Sequence, residues 1–331
     1  MPKKIKICLV GAGSFANYVH GPSLKYLAAN DPALELGCVC DFNREKAVEF
    51  ADKFGFPRVS TELDAMLKTE NPDGVAVLTG VGATSEVAGR VLAQGFPVMM
   101  EKPPGRNRAE IEHLMQCSEK SGAPAMVAFN RRYSPLLTQG LKLFAATGET
   151  LEHIRCDFYR RERLDDDFAT TAIHGIDAVR HLAGGAYRSV RLDYQELARE
   201  KETCNIYLNC RFDNGVYGTI SFCPSTGAVL ERYTLLSRHW TVMIESVVPG
   251  GGSDRPGRIF VYREGRLDRI EAPEPHPLDS QDYYLAGYFS ENEAFIRNLR
   301  EGFPAGNDLA MSLAAVEIAD ALRFRQPQWE A

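Results

Sequence analysis

Three stretches of the sequence hold residue types that do chemistry. In "VGAGSFA", Gly11, Gly13 and Ala16 fill G-x-G-x-x-A directly after an apolar run and at the mouth of a helical pattern. Gly11 permits the tight turn, Gly13 lets a pyrophosphate approach the backbone, and Ala16 lets the helix pack closely on the strand. Ser14 and Phe15 lie in the same turn, where the helix N-terminus offers free N–H groups and a partial positive charge. In "PVMMEKPPG" (97–105) a strand-like run ends on Glu101 and Lys102, and two prolines follow. Pro103 restricts Lys102 to extended geometry, and a cis Lys102–Pro103 bond would fix its direction further. An ammonium aimed in this way can stabilise a developing oxyanion. In "TTAIHGIDAVRHL", His174 supplies an imidazole suited to proton transfer near neutral pH, and Asp177 stands one helical turn beyond it to orient the ring. Oxidation of a secondary alcohol needs these parts: a dinucleotide to take hydride, a base for the proton, and a cation for the oxygen. From position alone the alternatives are a plain glycine turn, a snorkelling lysine before a helix start, and a structural histidine.

Further residues extend the cofactor and substrate sets. Asp41 ends the run "LELGCVC", where a carboxylate can accept both hydroxyls of an adenosine ribose and repel a 2′-phosphate. That favours NAD over NADP, although Arg44, three positions on, could pair with a phosphate. Asp41 as a cap for the helix beginning near Arg44 is the alternative. Thr79 and Gly80 leave the run "GVAVLT" and can line the ribose and nicotinamide. Asn130 and Arg131 leave the run "AMVAF", the amide for the nicotinamide side and the arginine for substrate. Arg160, with Arg161 and Arg163, follows a later strand and would favour an anionic or polyhydroxylated substrate.

These groups need elements to place them. Apolar runs at 5–10, 34–40, 74–79, 97–101 and 125–129 alternate with helical patterns at 15–29, 44–54, 61–68, 85–94 and 108–121. Continuous apolar strands separated by amphipathic helices predict a doubly wound parallel sheet, covered on both faces. After about residue 150 the pattern changes. A helix over 170–182 is followed by alternating strands, of which "CNIYLNCRFDNGVYGTISFC" is a hairpin about Asp213-Asn214-Gly215. "ERYTLLS", "WTVMIES" and "RIFVYREGRLDRIE" add strands, "PGGGSDRPG" (249–257) is a loop, and helices over 282–300 and 307–323 close the chain. The prediction is an α/β protein: a dinucleotide-binding Rossmann domain over 1–129, then an α+β substrate and oligomerisation domain over 130–331 with a large, mostly antiparallel open sheet.

Composition excludes other classes. The 331 residues are 44% hydrophobic and 25% charged with net charge −6, so no broad basic field exists for a nucleic-acid backbone. Eight cysteines form no C-x-x-C pair and several sit inside apolar runs, which points to small packed hydrophobes in a reducing compartment and to no metal site. No apolar run reaches signal or membrane-span length. The expectation is a cytoplasmic protein with no membrane partner.

The segments "GAGSFANYVHGPSL", "NPDGVAVLT", "VMMEKP", "VAFNRRYSP" and "IHGIDAVRHLAG" together resemble the glucose–fructose oxidoreductase, inositol dehydrogenase and MocA (Gfo/Idh/MocA) family over essentially the whole chain. The resemblance implies NAD(P)-dependent oxidation or reduction at a sugar, sugar-acid or cyclitol carbon, in a homodimer or homotetramer. It makes Lys102 the lysine that touches substrate and nicotinamide ribose, and His174 the second catalytic residue. The family's D-x-x-x-H is broken here, because Thr170 stands in the aspartate position, leaving Asp165, Asp166, Asp167 or Asp177 to substitute. In the loop after Thr79, Gly80 and Thr84 occupy places where the family often has proline or serine and histidine. Two other readings follow from the departures: tightly held NAD serving elimination or bond cleavage, and a non-catalytic NAD(P)-binding sensor.

Overall fold

A computed structural model describes residues 3–164, 167–197, 203–248, 257–304 and 308–331. It divides into two compact units, one of Met1–Phe129 with Tyr288–Leu313, the other of Asn130–Gly287 with Ala314–Ala331. The loop expected at 249–257 lies, apart from Gly257, outside the described residues.

In the first unit the predicted alternation is realised. Strands β1 (Ile5–Val10), β2 (Leu34–Cys40), β3 (Arg58–Ser60), β4 (Gly74–Val77), β5 (Val98–Glu101) and β6 (Ala125–Ala128) form one sheet in the order β3-β2-β1-β4-β5-β6, every pair parallel. Helices α1 (Gly21–Asn30), α2 (Arg44–Phe54), α3 (Leu63–Glu70), α4 (Val81–Ala93) and α5 (Arg108–Ser121) make the crossovers. A π-helical turn, Ala16–His20, runs directly into α1. The strands are apolar throughout because both faces are covered: Ile7, Leu9, Val39, Val75, Met99 and Val127 are fully buried. Helices α2 and α5 keep their predicted bounds. Each opens on an asparagine whose side-chain oxygen accepts a backbone N–H, from Lys46 at Asn43 and from Glu110 at Asn107, and each closes on a left-handed glycine. Order reverses beside β1, with β2 on one side and β4 on the other, and ligands of such sheets bind at that switch point beyond the carboxyl ends of the strands.

The second unit holds α6 (Pro135–Ala145), α7 (Ala169–Ala183), the short α8 (Asp282–Leu285) and a nine-stranded sheet. Its strands are β7 (His153–Tyr159), β8 (Tyr187–Glu196), β9 (Cys204–Phe212), β10 (Tyr217–Cys223), β11 (Leu230–Leu236), β12 (Trp240–Ser246), β13 (Arg258–Arg263), β14 (Arg266–Glu271) and β15 (Gln328–Glu330), in the order β14-β13-β12-β11-β7-β10-β9-β8-β15. All neighbours are antiparallel except β7 and β10, as the pattern predicts. The Asp213-Asn214-Gly215 hairpin joins β9 to β10, with Gly215 at φ +88°.

The helix predicted over 282–300 is broken. Gly287, at φ +93°, separates α8 from α9 (Tyr288–Glu301), and a Cβ there would lie 2.2 Å from the Asn130 carbonyl oxygen. The break returns the chain to the first unit, which therefore takes in residues that the sequence assigns to the 130–331 half. Helix α9 packs on α1, the π-helical turn and β1. Phe295 and Leu299 of α9 press against Gly74, where even a methyl group would collide with them. At the start of α10 (Asp308–Arg323), Asp308 accepts the Val127 N–H at 2.7 Å, which occupies a backbone donor on the sheet's edge strand.

The eight cysteines are free and seven are buried. Burial pushes the Cys8 and Cys40 thiols up to about 11 and Cys38 to about 12, so they remain protonated and pack as small apolar groups. Among the described residues no helix is long and apolar enough to cross a membrane.

Candidate functional site

In the first unit, the residues expected to hold a dinucleotide leave the sheet at one edge. Gly11 follows β1, Asp41 follows β2, Thr79 follows β4 and Lys102 follows β5. Gly11 adopts φ +99°, and a Cβ on it would stand 2.7 Å from the Leu78 carbonyl oxygen, so conformation and space both demand glycine. A Cβ on Gly13 would meet nothing within 4 Å. The turn backbone is therefore bare where a pyrophosphate would approach, and Ala16 is buried behind it. Ser14 and Phe15 are exposed at the start of the helix. This cradle fits a dinucleotide.

Asp41 does two things at once. One carboxylate oxygen accepts the Ala12 N–H at 2.8 Å and the other accepts the Asn43 N–H at 2.8 Å. The side chain thus bridges the glycine turn and the start of α2, and it is nearly buried. The cap of α2 is Asn43, not Asp41. Arg44 is the exposed first residue of α2. Thr79 and Gly80 lead into α4, and Thr84 donates its hydroxyl to the Thr79 and Gly80 carbonyls at 3.2 Å each, so the residue in the family's histidine place closes the loop on itself.

At the end of β5, Glu101 is buried and Lys102 partly buried, and the Lys102–Pro103 bond is cis. Glu101 accepts the Lys102 backbone N–H at 3.1 Å with one oxygen and faces His20 Nε2 at 2.8 Å with the other. His20 and its neighbour Asn292 were given no role by the sequence. His20 follows the glycine turn without any local signal of its own, and Asn292 is far away in the chain, so only the folded packing reveals the pair.

In the second unit, His174 lies buried in α7, which packs on β7 and β10. Asp177 does not turn to it. Both Asp177 oxygens accept from the Arg132 guanidinium, Nε at 2.8 Å and an NH2 group closer still. Thr170 donates its hydroxyl to the Asp167 carbonyl at 2.9 Å. Asp167 accepts the Ala169 N–H at 3.2 Å and pairs with Arg323 at 2.9 Å. Asp165 and Asp166 lie outside the described residues.

Asn130, Arg131 and Arg160 have partners inside the second unit. The Asn130 amide is fully buried, donating to the Ala286 carbonyl at 2.8 Å and accepting from Arg131 at 3.0 Å. Arg131 forms a two-pronged pair with Glu231, at 2.7 and 3.2 Å, and Arg160 donates to the same carboxylate. Burial would raise the Glu231 carboxyl, but the two guanidiniums outweigh it and hold the group below the usual carboxylate range. Arg131 and Arg160 thus share the Glu231 carboxylate inside the second unit. The sequence offers no signal for Glu231, which is 100 positions from Arg131.

Residues 5–129 match the family model described as oxidoreductase family, NAD-binding Rossmann fold. The chain is 26% identical over 292 residues to D-glucoside 3-dehydrogenase of Escherichia coli (strain K12), covering 80% of each. It is 21% identical over 340 residues to myo-inositol 2-dehydrogenase of Thermotoga maritima, covering 93% of each. Its fold matches the crystal structure of a Gfo/Idh/MocA family oxidoreductase from Vibrio cholerae with a TM-score of 0.80 at 20% identity, over 97% of this chain and 98% of that one. Fold and glycine cradle fit an NAD-binding Rossmann domain over residues 5–129. The match to the Gfo/Idh/MocA oxidoreductase family model spans residues 5–129, the Rossmann part of the chain.

Proposed function

We propose that this protein is an NAD-dependent dehydrogenase acting on a secondary alcohol of a sugar, sugar acid or cyclitol, with Lys102 and His174 at the reacting centre. The observation that carries the reading is Lys102 at the carboxyl end of β5, on the sheet edge that also bears the Gly11–Gly13 turn and Asp41. NAD supplies the hydride acceptor. His174 takes the hydroxyl proton, and the Lys102 ammonium stabilises the negative charge that grows on the same oxygen. The names of the Escherichia coli and Thermotoga maritima relatives, a glucoside and an inositol dehydrogenase, support the polyhydroxylated substrate class. The test is incubation of pure protein and NAD with methyl glucosides, inositols, aldoses and uronates. Reduction of NAD by one group of these compounds is expected; measurable NAD binding with reduction by none of them would refute the reading.

Asp41 supports NAD over NADP, because a 2′-phosphate placed beside its carboxylate is repelled at a cost of several kcal/mol. Fluorescence titration is expected to show NAD binding at least about tenfold more tightly than NADP. Asp41→Asn removes the charge, keeps an oxygen for one of the two backbone donors, and should narrow the gap. Equal affinities in the unmodified protein would remove Asp41 from this role.

A further inference from the structure

His20 lies in the π-helical turn between the glycine loop and α1, wholly shielded from solvent. Its ring is held at both nitrogens. Asn292 Nδ2 lies 3.0 Å from His20 Nδ1 and 2.7 Å from the Tyr288 carbonyl oxygen. A contact that short to a carbonyl identifies this atom as the amide nitrogen, so His20 Nδ1 accepts. The ring proton then sits on Nε2 and is donated to Glu101 at 2.8 Å. The other Glu101 oxygen accepts the backbone N–H of Lys102. The rings of Phe15 and Tyr288 stand edge-on to the imidazole at 6.2 and 5.9 Å and close its remaining sides. An unbroken chain of hydrogen bonds therefore runs from α9 through the helix of the dinucleotide turn to the peptide from which the Lys102 side chain departs.

We propose that His20 is a positioning residue for Lys102: through Glu101 it fixes the Lys102 backbone relative to the glycine turn, so that the ammonium is aimed by the helix that carries the cofactor cradle. The carboxylate cannot fill this role unaided. With three rotatable side-chain torsions it would satisfy the Lys102 N–H in several poses, and the Nε2–H donor selects one of them. The inference rests on the reading that Lys102 acts on substrate, but its test does not need a substrate.

The test is acetylation of the NAD-free protein by N-hydroxysuccinimidyl acetate, with modification of Lys102 followed by peptide mass spectrometry relative to exposed Lys120 of the same molecule. His20→Leu, which removes both polar contacts, is expected to change the Lys102-to-Lys120 rate ratio by about threefold or more, equivalent to half a pKa unit in the nucleophile. His20→Gln places an amide donor near the position of Nε2 and should return the ratio to the wild-type value. If His20→Leu does not fold, Glu101→Gln carries the test, since its single oxygen cannot satisfy both His20 Nε2–H and the Lys102 N–H. A wild-type ratio in whichever of these two variants folds, or no recovery in His20→Gln, overturns the proposal. With a panel compound that the wild type oxidises, the same variants should lose kcat rather than raise KM. Failure of the labelling sinks the positioning role alone, whereas failure of every panel compound sinks the dehydrogenase reading.

Discussion

If Lys102 acts as proposed, Lys102→Met is expected to lower kcat by about a hundredfold to a thousandfold with any alcohol the wild type oxidises, because it removes the cation that meets charge on the reacting oxygen. Methionine keeps the length and apolar stem of the side chain, so packing beside Pro103 and Pro104 should survive. The NAD dissociation constant should move far less than kcat, since the cradle of Gly11, Gly13 and Asp41 is untouched and only the Lys102 contact to the nicotinamide ribose is lost. Lys102→Arg should not restore the rate: a planar fork does not reproduce a point charge on a flexible stem. Steady-state kinetics and cofactor titration on the three proteins check the claim, and unchanged turnover in Lys102→Met would end it.

The second large effect concerns stability. Glu231→Gln leaves the Arg131 and Arg160 guanidiniums buried around a neutral amide, and breaking a buried ion pair in this way costs about 3–5 kcal/mol. For a unit of this size that lowers the melting temperature by about 10 °C. Replacing the whole cluster, Arg131→Met with Glu231→Leu and Arg160→Met, should recover most of the loss, because it removes the stranded charges along with their partner. Calorimetry separates these outcomes, and a Glu231→Gln melting point within about 2 °C of wild type would show that the carboxylate is not needed. The sign with pH follows from the lowered carboxyl. Its folded pKa lies below the ordinary 4.5, so the stabilisation is complete above that value and is lost as pH falls through the folded one.

The legible parts of the molecule were those set by neighbours in the chain. Strands β1 and β2 kept their predicted bounds because their apolar runs are unbroken, and α2 and α5 because cap and stop residues sit beside them. The short β3 had too few residues to register as a run, and the helical pattern over 282–300 concealed a break that only the close approach of Gly287 to Asn130 imposes. The positions of the glycine turn, Asp41 and Lys102 at strand exits were readable because each directly follows an apolar run. Arg131, Arg160 and Asn130 looked equally chemical, yet they are held by Glu231 and Ala286, partners far away in sequence. His20 was missed for the converse reason, since nothing local distinguishes a histidine that anchors a carboxylate from one that merely fills a helix.

The return of Tyr288–Leu313 to the first unit bears on how the protein is made. A nascent polypeptide leaves the ribosome with all six parallel strands long before α9 exists to cover Gly74 or to bring Asn292 to His20. Until α9 is made, the dinucleotide half carries an unsealed apolar seam, the kind of surface that chaperones occupy. A gene fragment stopped at residue 129 would encode the whole fingerprint and still lack the helix that finishes its fold.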